Sequence, residues 1–111
     1  MPVIIPHFGA GFLREALMAA DQCPTIHLDT SSSNGWTRFH ASLSLEDVFR
    51  QTLLVMGPDR LLFGTDSSFF PRGWQQPVFD AQQGILESLG LSAEDRNKIV
   101  RQNFDRVFPQ L

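Results

Sequence analysis

The chain repeats one order, a short apolar run followed by an amphipathic helix, and this order constrains its fold more than any other feature. The apolar runs lie at residues 3–5, 25–28 and 61–63. Each precedes polar or glycine-containing sequence and then apolar residues at helical spacing. Strands that alternate with helices form βαβ units with right-handed crossovers. The sequence therefore predicts an α/β protein with about three parallel strands and flanking helices.

Capping residues and apolar periodicity predict where the helices lie. The first helix ends shortly before Pro24, and the second begins at the capping box Ser44-x-x-Asp47 and stops at Gly57. A third is predicted over about 77–89, and a last one begins at Ser92-x-x-Asp95. The predicted inward positions are Phe12, Leu13, Ala16, Leu17 and Ala20; Leu45, Val48, Phe49, Thr52 and Leu53; Val78, Ala81, Ile85, Leu86 and Leu89; and Ile99, Val100, Phe104 and Val107.

Length and charge exclude several classes of protein. The 111 residues suffice for one domain, 1–111, with a modest core. A net charge of −3, with both signs interspersed, provides no electrostatic footprint for nucleic acid. The single cysteine, Cys23, excludes an internal disulfide framework, and no run approaches the roughly 20 apolar residues of a membrane span. With no signal-peptide pattern, we expect a cytoplasmic protein without nucleic-acid or membrane partners.

A residue able to bind a metal or move a proton follows each predicted strand: His7, Asp29 and Asp66. The carboxyl ends of parallel strands share one rim, so these side chains could converge there. Structural roles compete with this interpretation, because aspartate often begins a turn or caps a helix. A turn is favoured for Asp29, and both roles stay open for Asp66. We expect His40, in the loop over 30–43, to be solvated.

The segment after the third strand carries unusual aromatic residues, Phe69, Phe70 and Trp74, beside Pro71 and Gly73. Loop aromatics either plug one end of a core or line a pocket or interface. A three-stranded parallel sheet also has two open edges that something must cover. We therefore expect the chain to form a homo-oligomer.

Four segments in register carry a family resemblance: PVIIPHFGAG at 2–11, IHLDTSS at 26–32, DRLLFGTDS at 59–67, and LGLSAED at 89–95 with Ile99-x-x-x-Asn103. Together they resemble the C-terminal part of the amidohydrolase-related TIM-barrel hydrolases, in the branch of the aminocarboxymuconate-semialdehyde decarboxylase-like enzymes. The resemblance implies that the strands match the last three βα units of a (β/α) barrel. It also implies a divalent metal, zinc first, that activates water for hydrolysis or a carboxylate substrate for decarboxylation.

By the same resemblance, Asp66 matches the last-strand aspartate that ligates the metal or orients its water, and His7 matches the sixth-strand histidine that acts as an acid or base. The family's H-x-H pair and its fifth-strand histidine have no counterpart in this sequence. A catalytic zinc usually takes three protein ligands, and a full barrel takes about 250 residues.

Three explanations therefore stay open. The chain is a fragment or truncated form of a larger hydrolase or decarboxylase. Alternatively, its strand ends form part of a site that another chain completes, or it folds and self-associates without catalysing a reaction. We expect it to be inactive alone, with a metal weakly held if bound at all. The alternative is a non-catalytic assembly or binding module that self-associates through its open sheet.

Overall fold

A computed structural model describes residues 1–67 and 69–109 of the chain. Three parallel strands form one open sheet in the order β1 (Val3–Ile5), β2 (Ile26–Asp29) and β3 (Leu61–Leu62). The helices are α1 (Leu13–Gln22), α2 (Leu45–Met56), α3 (Gln76–Ser88), α4 (Ala93–Asn97) and α5 (Asn103–Val107), the last two joined by a π-helical turn, Lys98–Gln102. The predicted α/β fold, a partial (β/α) barrel of three parallel strands with flanking helices, is confirmed.

The register of the sheet aligns the carboxyl ends of the strands. Ile5 lies opposite Leu28, and Asp29 lies opposite Leu62. The segments that leave the three strands therefore start at the same edge of the sheet. We call this edge the rim, and define it by residues 6–11, 30–34 and 63–67.

The core lies between the sheet and the inward faces of α1, α2 and α3, with Ile99 of the π-helical turn closing it. Side chains exposed by less than a tenth fill it, namely Phe8, Ala16, Leu17, Ala20, Leu28, Val48, Phe49, Met56, Leu61, Leu86 and Ile99. The capping box at the start of α2 is formed as predicted, because the Ser44 hydroxyl accepts from the Asp47 amide and the Asp47 carboxylate accepts from the Ser44 amide. The Ser92 hydroxyl caps α4 by accepting from the Asp95 amide.

Three of the predicted inward positions are wrong. Phe12 is 70% exposed because it precedes the first residue of α1, and Phe104 is 43% exposed. The π-helical turn changes the phase of the last helical segment, so that Asn103 is buried in the place expected for an apolar neighbour. In α3 the predicted Ala81 is exposed, and the polar Gln82 is buried instead.

The long loop between β2 and α2 is not structureless. It contains a 3-10 turn, Gly35–Phe39, whose N-terminal residue Asn34 is buried and has a positive φ of 54°. Across residues 1–67 and 69–109, no helix is both long enough and apolar enough to cross a membrane.

Candidate functional site

A tight turn holds His7 at the end of β1. His7 and Phe8 have φ values of 57° and 55°, and Gly9 follows at 81°. A Cβ on Gly9 would lie 2.8 Å from the Cβ of Ala16, so the turn packs directly against α1. Phe8 is fully buried, and its ring meets that of Phe49 edge-on at 5.0 Å. The residues that follow His7 therefore anchor the turn, Phe8 on α2 and Gly9 on α1.

His7, Ser31 and Asp29 form one hydrogen-bonded group that joins β1 to β2. The Asp29 Oδ1 atom accepts from the His7 amide at 3.0 Å and from the Ser31 amide at 2.9 Å. It also accepts from the Ser31 hydroxyl. That hydroxyl lies 2.8 Å from the His7 Nδ1 atom, and the Ser31 carbonyl lies 3.2 Å from the same nitrogen. The three residues therefore hold the imidazole in one orientation.

Ser31 also lies against the segment that leaves β3. A Cβ on Gly64 would lie 3.0 Å from the Ser31 Cβ, a tighter contact than ordinary packing, so glycine favours the close approach of the two strand ends. Asp66 follows two residues later, in a left-handed conformation with a φ of 58°. Ser31 thus lies between the histidine at one strand end and the aspartate after another.

Asp66 is half-buried, with a third of its side chain exposed. Its carboxylate Oδ2 lies 3.9 Å from Nη1 of Arg72, whose side chain also donates to the Thr65 carbonyl at 3.4 Å. At 3.9 Å this is a loose ion pair, because a direct charge-assisted hydrogen bond is about 1 Å shorter. The carboxylate is therefore available to a further ligand.

The structure brings together two of the three predicted rim residues by direct contact. His7 and Asp29 share a hydrogen bond, whereas Asp66 contacts Arg72. The turn predicted for Asp29 is present, and the same oxygen accepts from the His7 amide just after β1. His40 lies outside this group and packs edge-on against Trp36, with ring centroids 5.7 Å apart.

Sequence reasoning missed the polar residues that support the rim. Ser31 lies two residues after Asp29, and this spacing is a local signal for an Asx turn. Buried Thr30 and Gln82 exchange two hydrogen bonds, and their separation of 52 residues leaves no local signal. Asn34 adds a third contact through its amide to the Thr30 carbonyl at 3.2 Å.

The aromatic segment after β3 divides into two parts. Trp74 packs with Phe63 and Phe79, with ring centroids 5.5 to 5.9 Å apart, and so covers one end of the core. Phe69 and Phe70 are 61% and 97% exposed. Of the two roles considered for these aromatics, the contact of Trp74 with Phe63 is of the core-plugging kind, although Trp74 itself is 59% exposed.

A divalent metal fits only part of this arrangement. The Asp66 carboxylate and the His7 imidazole are suitable donor types. However, the described residues, all except 68, 110 and 111, contain no group of three His, Cys, Asp or Glu side chains that could hold a metal ion. Because catalytic zinc usually takes three protein ligands, these residues do not make a complete metal site by themselves.

Comparison with protein families identifies residues 1–110 with the family described as Amidohydrolase. Two solved structures of an amidohydrolase from Burkholderia multivorans are similar in fold. One has bound zinc, a TM-score of 0.66 and 21% identity, and the match covers 93% of this chain and 38% of that one. The other has bound HEPES, a TM-score of 0.67 and 23% identity, covering 97% and 44%.

A 2,6-dihydroxybenzoate decarboxylase from Rhizobium is similar as well, with a TM-score of 0.58, 19% identity, and coverage of 97% of this chain and 34% of the decarboxylase. The chain thus spans between about a third and under half of the length of these structures. The comparison with curated proteins gives no significant match.

Proposed function

Since the chain belongs to the amidohydrolase family, we propose that it supplies part of the catalytic rim of a metal-dependent hydrolase or decarboxylase that acts on a small molecule. His7 takes up or delivers a proton, and Asp66 is a metal ligand. When bound, such a metal lowers the pKa of its water or polarises a substrate oxygen. The zinc of the Burkholderia amidohydrolase and the decarboxylase fold of the Rhizobium enzyme support this class of chemistry.

One observation carries the proposal: His7 and Asp66 follow the two outer strands at the same edge of the sheet, and Ser31, which follows the central strand, contacts His7 and packs near Gly64. Both have a positive φ, at 57° and 58°. Residues other than glycine adopt this conformation rarely, and such residues cluster at functional sites. In α/β proteins the ligand binds at the carboxyl ends of the strands, which is where both residues lie.

By themselves, the 111 residues do not turn over substrate in this proposal. Asp66 is the one metal ligand in this proposal, whereas a catalytic zinc usually takes three protein ligands, so the remaining ligands come from residues outside a single copy of this chain. Those residues belong either to further strands of the same barrel or to another chain that closes the open sheet. A second copy of this chain is one such partner, and we propose self-association on this ground.

Zinc titration of the purified chain by isothermal calorimetry tests the role of Asp66. We expect weak binding in the wild type and a further loss of about tenfold or more in Asp66→Ala, because a charged ligand is removed. Asp80→Ala is the matched control, since Asp80 lies exposed on α3, away from the rim. Equal zinc affinity in wild type and Asp66→Ala refutes the ligand role. Stoichiometric tight zinc binding by the wild type at a concentration where it is monomeric refutes the need for outside ligands.

A second candidate function is a non-catalytic assembly module, and the exposure of Phe69 and Phe70 favours it. Large apolar side chains that lie exposed beside each other often mark an interface. Sedimentation velocity on Phe70→Ala separates the two functions. Loss of an oligomer with unchanged zinc affinity supports assembly, whereas an unchanged oligomer speaks against it.

A further inference from the structure

The direction of each hydrogen bond around His7 can be read from the chemistry of its partners. The Asp29 carboxylate only accepts, so the Ser31 hydroxyl must donate its proton to Asp29 Oδ1. With its proton committed, the Ser31 oxygen can only accept from His7 Nδ1, 2.8 Å away. The Ser31 carbonyl, 3.2 Å from the same nitrogen, also only accepts. Both partners of Nδ1 therefore require that this nitrogen carry a proton.

We propose that Asp29 and Ser31 are positioning residues that hold His7 in the tautomer with a proton on Nδ1, which leaves a lone pair on Nε2. A histidine side chain exposed to water favours the opposite tautomer, with its proton on Nε2. The proposal goes beyond the assignment of His7 as an acid or base, because it names the atom that acts. Nε2 is the nitrogen that takes up a proton or binds a cation.

Asp29 controls this arrangement through the orientation of one hydroxyl group. The Asp29 Oδ1 atom is held in place by the backbone amides of His7 and Ser31, at 3.0 and 2.9 Å. Because these amides only donate, the atom that faces them must be an acceptor, whether the side chain is aspartate or asparagine. An asparagine at this position therefore keeps the Ser31 hydroxyl pointing away from His7. An alanine releases the hydroxyl to donate to Nδ1.

The other two histidines serve as internal references. The Nδ1 atom of His27 lies 3.0 Å from the Thr25 carbonyl, so His27 also requires a proton on Nδ1. His40 contacts the ring of Trp36 and has no such carbonyl partner among the described residues, 1–67 and 69–109. We expect the neutral His40 to carry its proton on Nε2, as a histidine side chain exposed to water does.

The test is a long-range ¹H–¹⁵N correlation spectrum of the full chain at alkaline pH, so that the neutral tautomers are compared. His7→Gln, His27→Gln and His40→Gln assign the three rings. We expect the Nδ1–H pattern for His7 and His27. A wild-type His7 with its proton on Nε2 overturns the proposal outright, and it does so without any measurement of turnover, so this failure is distinct from failure of the proposed function.

Variants then test the two positioning residues. In Ser31→Ala and Asp29→Ala we expect the ratio of Nδ1–H to Nε2–H forms to fall by roughly threefold to tenfold, the effect of one ordinary hydrogen bond. Asp29→Asn keeps the wild-type ratio, as does Ser33→Ala, whose side chain is exposed. An unchanged ratio in a folded Ser31→Ala overturns the proposal. If the alanine variants do not fold, Asp29→Asn decides, because an Nε2–H pattern there overturns it as well.

Discussion

Replacing Gln82 by leucine tests the buried polar contact between α3 and the end of β2. The Thr30 hydroxyl donates to Gln82 Oε1 at 2.6 Å, and Gln82 Nε2 donates to the Thr30 carbonyl at 2.9 Å. Gln82 is 2% exposed, and Thr30 is fully buried. Leucine fills a similar volume but neither donates nor accepts a hydrogen bond. The change therefore isolates the polar part of the contact.

The expected loss follows from what remains unpaired. The buried Thr30 hydroxyl loses its acceptor, which costs about 1–3 kcal/mol. The Thr30 carbonyl keeps the Asn34 amide at 3.2 Å, so the loss of its other donor adds about 1 kcal/mol. Burial of the leucine side chain offsets part of this sum. We expect Gln82→Leu to lower the free energy of unfolding by about 2–3 kcal/mol.

Urea unfolding followed by circular dichroism measures this loss. With a slope of about 1–3 kcal/mol per molar urea, the midpoint falls by roughly 0.7–3 M. The matched control is Gln51→Leu, on the exposed part of α2, which we expect to stay within about 0.5 kcal/mol of the wild type. All variants are compared at one protein concentration, since self-association would shift the midpoint.

A double-mutant cycle shows whether the loss comes from the Thr30–Gln82 pair. Thr30→Val keeps the shape of the side chain and removes the hydroxyl, and we expect the double variant to lose about 1 kcal/mol less than the sum of the single losses. A Gln82→Leu protein as stable as the control refutes the reasoning. Additive single losses refute it too, because they would mean that the two side chains act independently.

Three further predictions concern stability. Gly9→Ala lowers the free energy of unfolding by about 2 kcal/mol, because alanine is strained at a left-handed φ and its Cβ would lie 2.8 Å from the side chain of Ala16 on α1. Gly84→Ala, in open space on α3, raises the free energy of unfolding by up to about 1 kcal/mol. Asn103→Ala removes two hydrogen bonds to backbone carbonyls and lowers the free energy of unfolding by about 2 kcal/mol or more. Thermal unfolding measures this loss, and an unchanged melting temperature contradicts the prediction. The pKa of Asp47 is held below its usual value by the Ser44 hydroxyl and amide and by Arg50. The ionised Asp47 therefore stabilises the fold at any pH above the unfolded pKa of about 4, and this contribution is lost as the pH falls through the lower folded pKa. Asp47→Asn should lower the free energy of unfolding at neutral pH and leave it unchanged at the acid end of a pH series.

The predictions from sequence that are confirmed rest on local signals. Ser44 and Asp47 cap α2 through contacts three residues apart, which a sequence pattern can contain. The order of strands and helices likewise follows from runs of a few residues. Phe12 was wrong because it lies before α1, whereas the errors at Ala81 and Phe104 are errors of helical phase. A π-helical turn of five residues rotates the last helix and buries Asn103 in place of Phe104.

The candidate site was predictable in type but not in connection. His7, Asp29 and Asp66 were identifiable because they follow strands, whose carboxyl ends share a rim. The role of Ser31 was not, because it depends on an imidazole 24 residues away in the chain. The preference for glycine at position 64 could not be predicted either, because it comes from the Ser31 side chain that packs against it.

The alternation of strands and helices, and the caps of the helices, can be predicted from the amino-acid sequence because they depend on residues within about one helical turn. The types of residue that follow the strands can be identified in the same way. Only the tertiary structure decided which polar groups pair, with Ser31 on His7 and Gln82 on Thr30. The physical reason is that a buried polar group must find its hydrogen-bond partner wherever the fold places one. That placement follows from packing of the whole sheet against its helices, which no local pattern encodes.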